Sequence, residues 1–252
     1  MTEGAPLLEL RGVSKVFGAV RALDGVNFTV PAGRVTALAG DNGAGKSVLI
    51  KTVAGLWEPA EGEILWEGSP IHFHSPTDAE ARGITTIYQD LALCDNLDIV
   101  QNMFLGHETM RYGLLDEPSM ELAARQTLDD LHVTTVRSIR QPVASLSGGQ
   151  RQSVAVAKAV MQSAKLVIMD EPTAALGVAQ TQMVLELIKR LSSQGTAVIL
   201  ISHNLNDVFE VADIIAVLYL GRMVASGPAE QFDREVVVDY MTSGESTRAA
   251  AG

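Results

Sequence analysis

The stretch Gly40-Asp41-Asn42-Gly43-Ala44-Gly45-Lys46-Ser47 constrains this chain more than any other. A glycine, four free positions and then Gly-Lys-Ser is the order that a phosphate-cradling loop requires. Glycines let a tight turn aim backbone N–H groups at phosphate oxygens. The lysine reaches the terminal phosphates, and the serine hydroxyl can complete the shell of a magnesium ion. The flanks agree with this reading. Residues 34–39 form a short apolar run suited to a buried strand, and residues 48–55 read as a helix stopped by Gly55. The positive end of that helix would face the phosphates.

Composition narrows the partners. A formal net charge of -11 argues against nucleic acid, whose phosphates are bound through clustered Lys and Arg. One nucleotide needs only local donors, so the balance leaves that reading intact. With 252 residues and 47% hydrophobic content the chain suits one large domain, or a domain with a subdomain. Cys94 is the sole cysteine, which rules out an intrachain disulfide, and it is assigned no role. The first six residues lack the pattern of a signal peptide, and no apolar run is long enough to span a bilayer. The chain is therefore expected in the cytosol, with any membrane association made through a partner.

Taken in order, residues 7–10 and 26–30 read as strands with Asp24-Gly25 as turn chemistry between them. Residues 63–66 and 84–88 read as further strands. Ser75-Pro76-Thr77-Asp78 starts a helix with a capping serine, an early proline and an acid three residues on. From about 91 to 162 the pattern is mainly helical, at 98–105, 119–131 and 150–161. Alternation then resumes with strand 166–169, helix 179–191, strand 197–201, helix 204–211 and a hairpin of 214–219 with 222–226 around Gly221. These elements predict an α/β core at 7–90 and 163–226, a helical subdomain at about 91–162, one domain over 7–242, and a disordered tail at 243–252.

Three further features carry chemistry. The apolar strand at 166–169 ends in Asp170-Glu171, where a phosphate-loop enzyme places a magnesium carboxylate and, one step on, a group that orients or deprotonates water. Leu146-Ser147-Gly148-Gly149-Gln150 offers a hydroxyl and exposed N–H groups at a helix start. Alone it reads equally as a glycine linker with a serine cap. His72 and His74 flank Phe73 and would share one face of a strand, but no acid or cysteine joins them at ligand spacing. They read as an exposed face.

Together these motifs give a chain that resembles the ATP-binding cassette (ABC) family of transport ATPases over nearly its whole length. The residues that carry the resemblance are 40–47, Gln89, the pentapeptide 146–150, residues 166–171 and His203. The resemblance implies a P-loop NTPase core with a mixed or parallel central sheet, an N-terminal antiparallel β-subdomain and an inserted helical subdomain. It implies ATP and Mg²⁺ as cofactors. Gly40, Asp41, Asn42, Gly43, Ala44, Gly45, Lys46, Ser47 and Val48 match the phosphate cradle, and Phe17 matches an aromatic that stacks on adenine. Ser47, Gln89 and Asp170 match magnesium positions, Glu171 the catalytic base and His203 a contact to the γ-phosphate. Ser147, Gly148, Gly149 and Gln150 would reach the ATP of a second subunit. The implied partners are a second cassette, transmembrane permease subunits and, indirectly, an extracytoplasmic solute-binding protein, with no nucleic acid. The place is the inner face of the cell membrane.

Residues 40–45, 88–91 and 171–178 look closer still to ATP-binding subunits of monosaccharide importers of the ribose, xylose and fructose type. Three departures stand out. Val48 replaces a usual hydroxyl residue, leaving only its backbone N–H. Gly177 replaces a usual aspartate, and one cassette stands where the sugar branch usually fuses two. The alternatives are a soluble, non-transport ABC ATPase and a cassette that acts mainly as an ATP-binding clamp.

Overall fold

The computed structural model describes residues 6–133, 135–174 and 176–246. The chain begins with β1 (Leu8–Phe17) and β2 (Val20–Val30), then β3 (Val35–Ala39) and α1 (Lys46–Val53). Next come β4 (Glu61–Trp66), β5 (Ser69–Ile71), α2 (Pro76–Ala81) and β6 (Ile84–Ile87). The mainly helical stretch holds α3 (Ile99–Phe104), the small hairpin β7 (Met110–Arg111) and β8 (Leu114–Leu115), α4 (Glu117–Asp130) and α5 (Gly148–Met161). It is followed by β9 (Leu166–Asp170), α6 (Val178–Ser193), β10 (Ala197–Ile201) and α7 (Leu205–Val211). The described chain closes with β11 (Ile214–Tyr219), β12 (Arg222–Pro228) and α8 (Arg234–Ser243).

Two sheets organise these elements. One is antiparallel, in the order β2-β1-β4-β5, and the other runs β12-β11-β3-β10-β9-β6. In the second, every neighbouring pair from β11 to β6 is parallel and only the β11–β12 hairpin is antiparallel. Its inner strands are buried on both faces, which explains their near-continuous apolar sequence. Ile168, Ile199 and Ile201 face β1, β2 and α1, whereas Val167, Met169, Val198 and Leu200 face the helices α3 to α6. The helical stretch therefore shares a continuous core with the sheet and with α6 instead of closing on a core of its own.

Asp24-Gly25 does not turn the chain. β1 and β2 form one long hairpin whose turn lies between Phe17 and Val20, and Gly25 sits inside β2 with a φ of 60°. Register shifts between Leu10 and Val16 absorb the extra residues, and the Ser14 hydroxyl accepts the Gly25 N–H at 3.0 Å. The bulge lets the ladder continue, which carries Phe17 seven residues beyond the end of the short strand expected at 7–10.

The Ser75 start is present, with Asp78 N donating to its hydroxyl. β5, the β7–β8 hairpin and α8 carry no strong period and were not expected. Val237 of α8 is fully buried against β11, so the core runs beyond residue 226. Thr242 and Ser243 belong to α8, and Gly244 caps it at a φ of 77°, seated on the Tyr219 ring. The rest of the expected tail, 247–252, and Ala175 of the 171–178 stretch lie outside the described residues. Among the described residues no helix is long and apolar enough to cross a membrane.

Candidate functional site

The site assembles at the carboxyl ends of the parallel strands, where open α/β sheets leave a crevice. β10 lies between β3 and β9, with Ile201 opposite both Leu38 and Asp170. Gly40, Glu171 and His203 therefore leave neighbouring strands at the same sheet edge, although more than 160 residues separate the first from the last.

The loop 40–45 is wedged between two strands. A β-carbon on Gly40 would lie 2.5 Å from the Leu218 carbonyl oxygen, and one on Gly45 would lie 2.8 Å from that of Ala22. Gly45 also holds a φ of 107° as it enters α1, so only glycine fits. Lys46 Nζ donates to the carbonyls of Gly40 at 2.7 Å and Asp41 at 3.0 Å. Burial pulls its ammonium below the ordinary lysine value, opposed by the charges of Glu171, Asp170 and Asp41. Asp41, Asn42, Gly43, Ala44, Gly45, Lys46, Ser47 and Val48 line a cavity of ≈ 440 Å³, closed by Val20, Arg21, Ala22, Leu220 and Gly221. Val48 is half-buried and also packs on the core between the two sheets.

Phe17 stands beside this cavity, paired across the hairpin with the wall residue Val20. Phe17 is 40% exposed, and its ring meets Trp57 edge-on, at 4.8 Å between centres and 71° between planes. Lys15 Nζ lies 5.4 Å from the Phe17 ring centre, and Lys51 Nζ lies 5.0 Å from that of Trp57.

At the end of β9, burial pushes the Asp170 carboxyl above its ordinary value. The charge of Glu171 adds to this, and Lys46 and Lys51 oppose it. Lys46 and Asp170 are thus both pushed toward neutrality, in each case chiefly by burial. Glu171 adopts a left-handed φ of 50°, fixed by its N–H to the Ile201 carbonyl at 2.9 Å. Its carboxylate accepts the His203 backbone N–H at 3.1 Å and the ring Nδ1 at 2.8 Å. Glu171 is mostly shielded and His203 largely exposed, with side-chain exposures of 18% and 71%.

Gln89 is exposed two residues past β6, at the same sheet edge as Asp170, since Ile87 pairs with Met169. Ser47 is exposed in the first turn of α1. A hydroxyl, an amide oxygen and one carboxylate are hard oxygen donors that suit Mg²⁺ sharing its shell with phosphate. Among the described residues no group of three or more His, Cys, Asp or Glu could hold a metal by itself. His72 and His74 are exposed around buried Phe73 and lie past the end of β5. Cys94 is a free, half-buried thiol.

Residues 147–150 do not line the phosphate cavity. Ser147 caps α5: Gln150 N donates to its hydroxyl at 3.4 Å, and Ser147 N donates to Gln150 Oε1 at 2.9 Å. Gln150 Nε2 also donates to the Thr135 carbonyl. Ser147 and Gly148 are exposed, and Gly149 is buried beside Gln180 of α6. Gly177 begins α6 with no side-chain acceptor, and Gln180 Oε1 takes its N–H at 3.3 Å.

Sequence reasoning missed the cavity walls at 20–22 and 220–221, together with Trp57. The walls belong to no motif, because β2 and the β11–β12 turn reach the loop only through the sheet topology.

Residues 23–174 match the family model for ABC transporters. The chain is 47% identical to the xylose/arabinose import ATP-binding protein of Sulfolobus acidocaldarius over 94% of each chain. It is 47% identical to the fructose import ATP-binding protein of Rhizobium meliloti, again over 94% of each. Both relatives are therefore of similar, single-cassette length. In fold it is similar to an ATP-binding cassette of an ABC transporter in its ADP conformation. That match has a TM-score of 0.80, 26% identity, and covers 94% of this chain and 95% of the other. These likenesses run through the loop, the capped helix start and the acidic strand end described above, and the chain belongs to the ABC transporter family as an ATP-binding cassette.

Proposed function

We propose that this cassette hydrolyses ATP to energise the uptake of a monosaccharide through a membrane permease, working as a pair with a second cassette at the inner face of the cell membrane. The observation that carries the hydrolytic part is the Glu171–His203 contact of 2.8 Å, at the sheet edge from which the loop leading to Lys46 also leaves. The sugar-import part is supported by the names of the two relatives, a xylose/arabinose and a fructose import ATP-binding protein.

Backbone N–H groups of 41–48 and the Lys46 ammonium hold the phosphates, and Phe17 takes the adenine face. Ser47, Asp170 and Gln89 are the residues that would hold Mg²⁺, which supplies charge neutralisation on the phosphate oxygens. Glu171 accepts a proton from a water as its oxygen bonds to the γ-phosphorus and the bond to the bridging oxygen breaks, leaving ADP and phosphate. His203 holds the Glu171 carboxylate in place and presents its exposed ring edge toward the γ-phosphate. Ser147, Gly148, Gly149 and Gln150 supply N–H and hydroxyl donors to the ATP of the second copy. Gln89 lies where a permease contact can sense the site, and a solute-binding protein outside the membrane delivers the sugar.

The decisive test is Glu171→Gln, read by phosphate release and by ATP binding in parallel. Turnover is expected to fall by about 10²–10⁴-fold while ATP is still bound. Hydrolysis at the unmutated rate would overturn the role of Glu171. A wild-type cassette, with its permease, that binds ATP without turnover would instead support the clamp reading.

A further inference from the structure

Two loops must be aligned for the Glu171–His203 contact to exist, and one buried carboxyl group joins them. Asp207, on α7, is 4% exposed, and Thr173 is 9% exposed. Asp207 Oδ2 accepts the Thr173 hydroxyl at 2.6 Å, and Oδ1 accepts Asn204 Nδ2 at 2.9 Å. Thr173 stands two residues after Glu171, and Asn204 one residue after His203. Each carboxyl oxygen thus holds the segment that follows one member of the pair.

Both segments need such a hold. Glu171 has a backbone conformation that L-residues adopt at a cost, and such strain persists only where the surroundings fix it. Its N–H is held by Ile201 on the sheet side, while its carbonyl accepts the Ala174 N–H at 3.1 Å. Pro172 stiffens the step to Thr173. On the other loop, Asn204 N donates to the buried Ser202 hydroxyl at 3.0 Å, and the Asn204 side chain caps α7 through Asn206 N. Beyond the Glu171–His203 contact and the Glu171 N–H bond to Ile201 at the end of β10, Asp207 ties the segment after Glu171 to the segment after His203. Burying a carboxyl group without partners is costly, and here both oxygens are used in binding the two loops.

We propose that Asp207, through Thr173 and Asn204, is the positioning residue that keeps Glu171 and His203 in register for hydrolysis. It touches no substrate and acts on the chemical step alone. This rests on the role given to Glu171 above. An acceptor on both sides is needed, so an amide at 207 serves only one of the two donors, and a valine at 173 removes a donor while keeping the shape.

The test compares Thr173→Val, Thr173→Ser and Asp207→Asn with wild type and with Glu171→Gln. The measurements are steady-state ATP hydrolysis, binding of a fluorescent ATP analogue, and thermal denaturation. The expected result for Thr173→Val and Asp207→Asn is a fall in kcat of about 10- to 100-fold, with KM for ATP and analogue binding within about twofold. Thr173→Ser, which restores the hydroxyl, is expected to recover most of kcat. Thr173→Val carries the test should Asp207→Asn fail to fold. Equal kcat for Thr173→Val and wild type, or equal losses in the Val and Ser variants, overturns the positioning role while an inactive Glu171→Gln keeps the hydrolytic reading. Turnover retained by Glu171→Gln takes down both.

Discussion

The two halves of the nucleotide machinery are built in opposite ways. Around residues 40–47 the backbone is forced, with Gly40 and Gly45 pressed against carbonyl oxygens and Glu171 held at a left-handed φ. Charge is uncomfortable there too, since burial drives Lys46 down and Asp170 up. Around residues 146–150 the local structure is at ease: Ser147 and Gln150 cap each other, and the exposed Ser147 and Gly148 stand at the start of a fourteen-residue helix. The first region is preorganised for a highly charged ligand and needs that ligand to relieve it. The second is satisfied within its own chain and offers donors outward, which suits a surface that meets another copy's ligand.

The largest expected effect separates the halves outright. Lys46→Ala and Ser147→Arg should each lower ATP hydrolysis by about 100-fold or more. An equal mixture of the two variants should recover activity toward about a quarter of wild type, because half of the pairs carry one intact composite site. No recovery in phosphate-release assays would break the view that the two regions serve each other across copies.

Glycine replacement sharpens the contrast in strain. Gly45→Ala meets the Ala22 backbone at a positive φ and should cost about 1–3 kcal/mol. Gly148→Ala meets only the flexible end of Leu176 and should cost less than about 1 kcal/mol. Denaturant titration of the two proteins decides, and equal losses would remove the distinction.

Charge strain gives a pH signature. Because the folded state raises the Asp170 value, its contribution to stability is complete below the unfolded value and is lost as pH rises through the folded one. Asp170→Asn should therefore melt a few degrees higher than wild type near neutral pH, the gap closing on acidification. The same variant should lose the extra stabilisation that Mg²⁺ adds to ATP. A melting difference independent of pH would mean that Asp170 is not strained.

The smallest effect concerns the aromatic pair. Trp57→Ala removes the edge contact that orients Phe17, and should raise KM for ATP about 2- to 10-fold. Affinity for inorganic tripolyphosphate, which has no base to stack, should stay unchanged. A parallel loss for both ligands would place Trp57 in folding rather than base recognition.

Much of this molecule was legible beforehand because its chemistry is local. The cradle at 40–47, the acids ending 166–169 and the capped start at 147 each follow from neighbouring residues, through turn geometry, strand burial and helix capping. The alternation of apolar runs predicted the strands of the main sheet, since strands buried on both faces must be apolar throughout. Where local cues competed, the sequence misled: Asp24-Gly25 reads as a turn, yet long-range pairing of β1 with β2 made it a bulge. α8 lacks a strong period of its own and exists as packing against β11.

Only the tertiary structure brought Glu171 to His203, placed Trp57 against Phe17, and closed the phosphate cavity with residues 20–22 and 220–221. It alone found Asp207, a residue with no motif, between Thr173 and Asn204. The physical reason is the same in each case. Sequence encodes what a residue does to its neighbours within a few positions, whereas the strand order β11-β3-β10-β9 determines which distant neighbours share an edge.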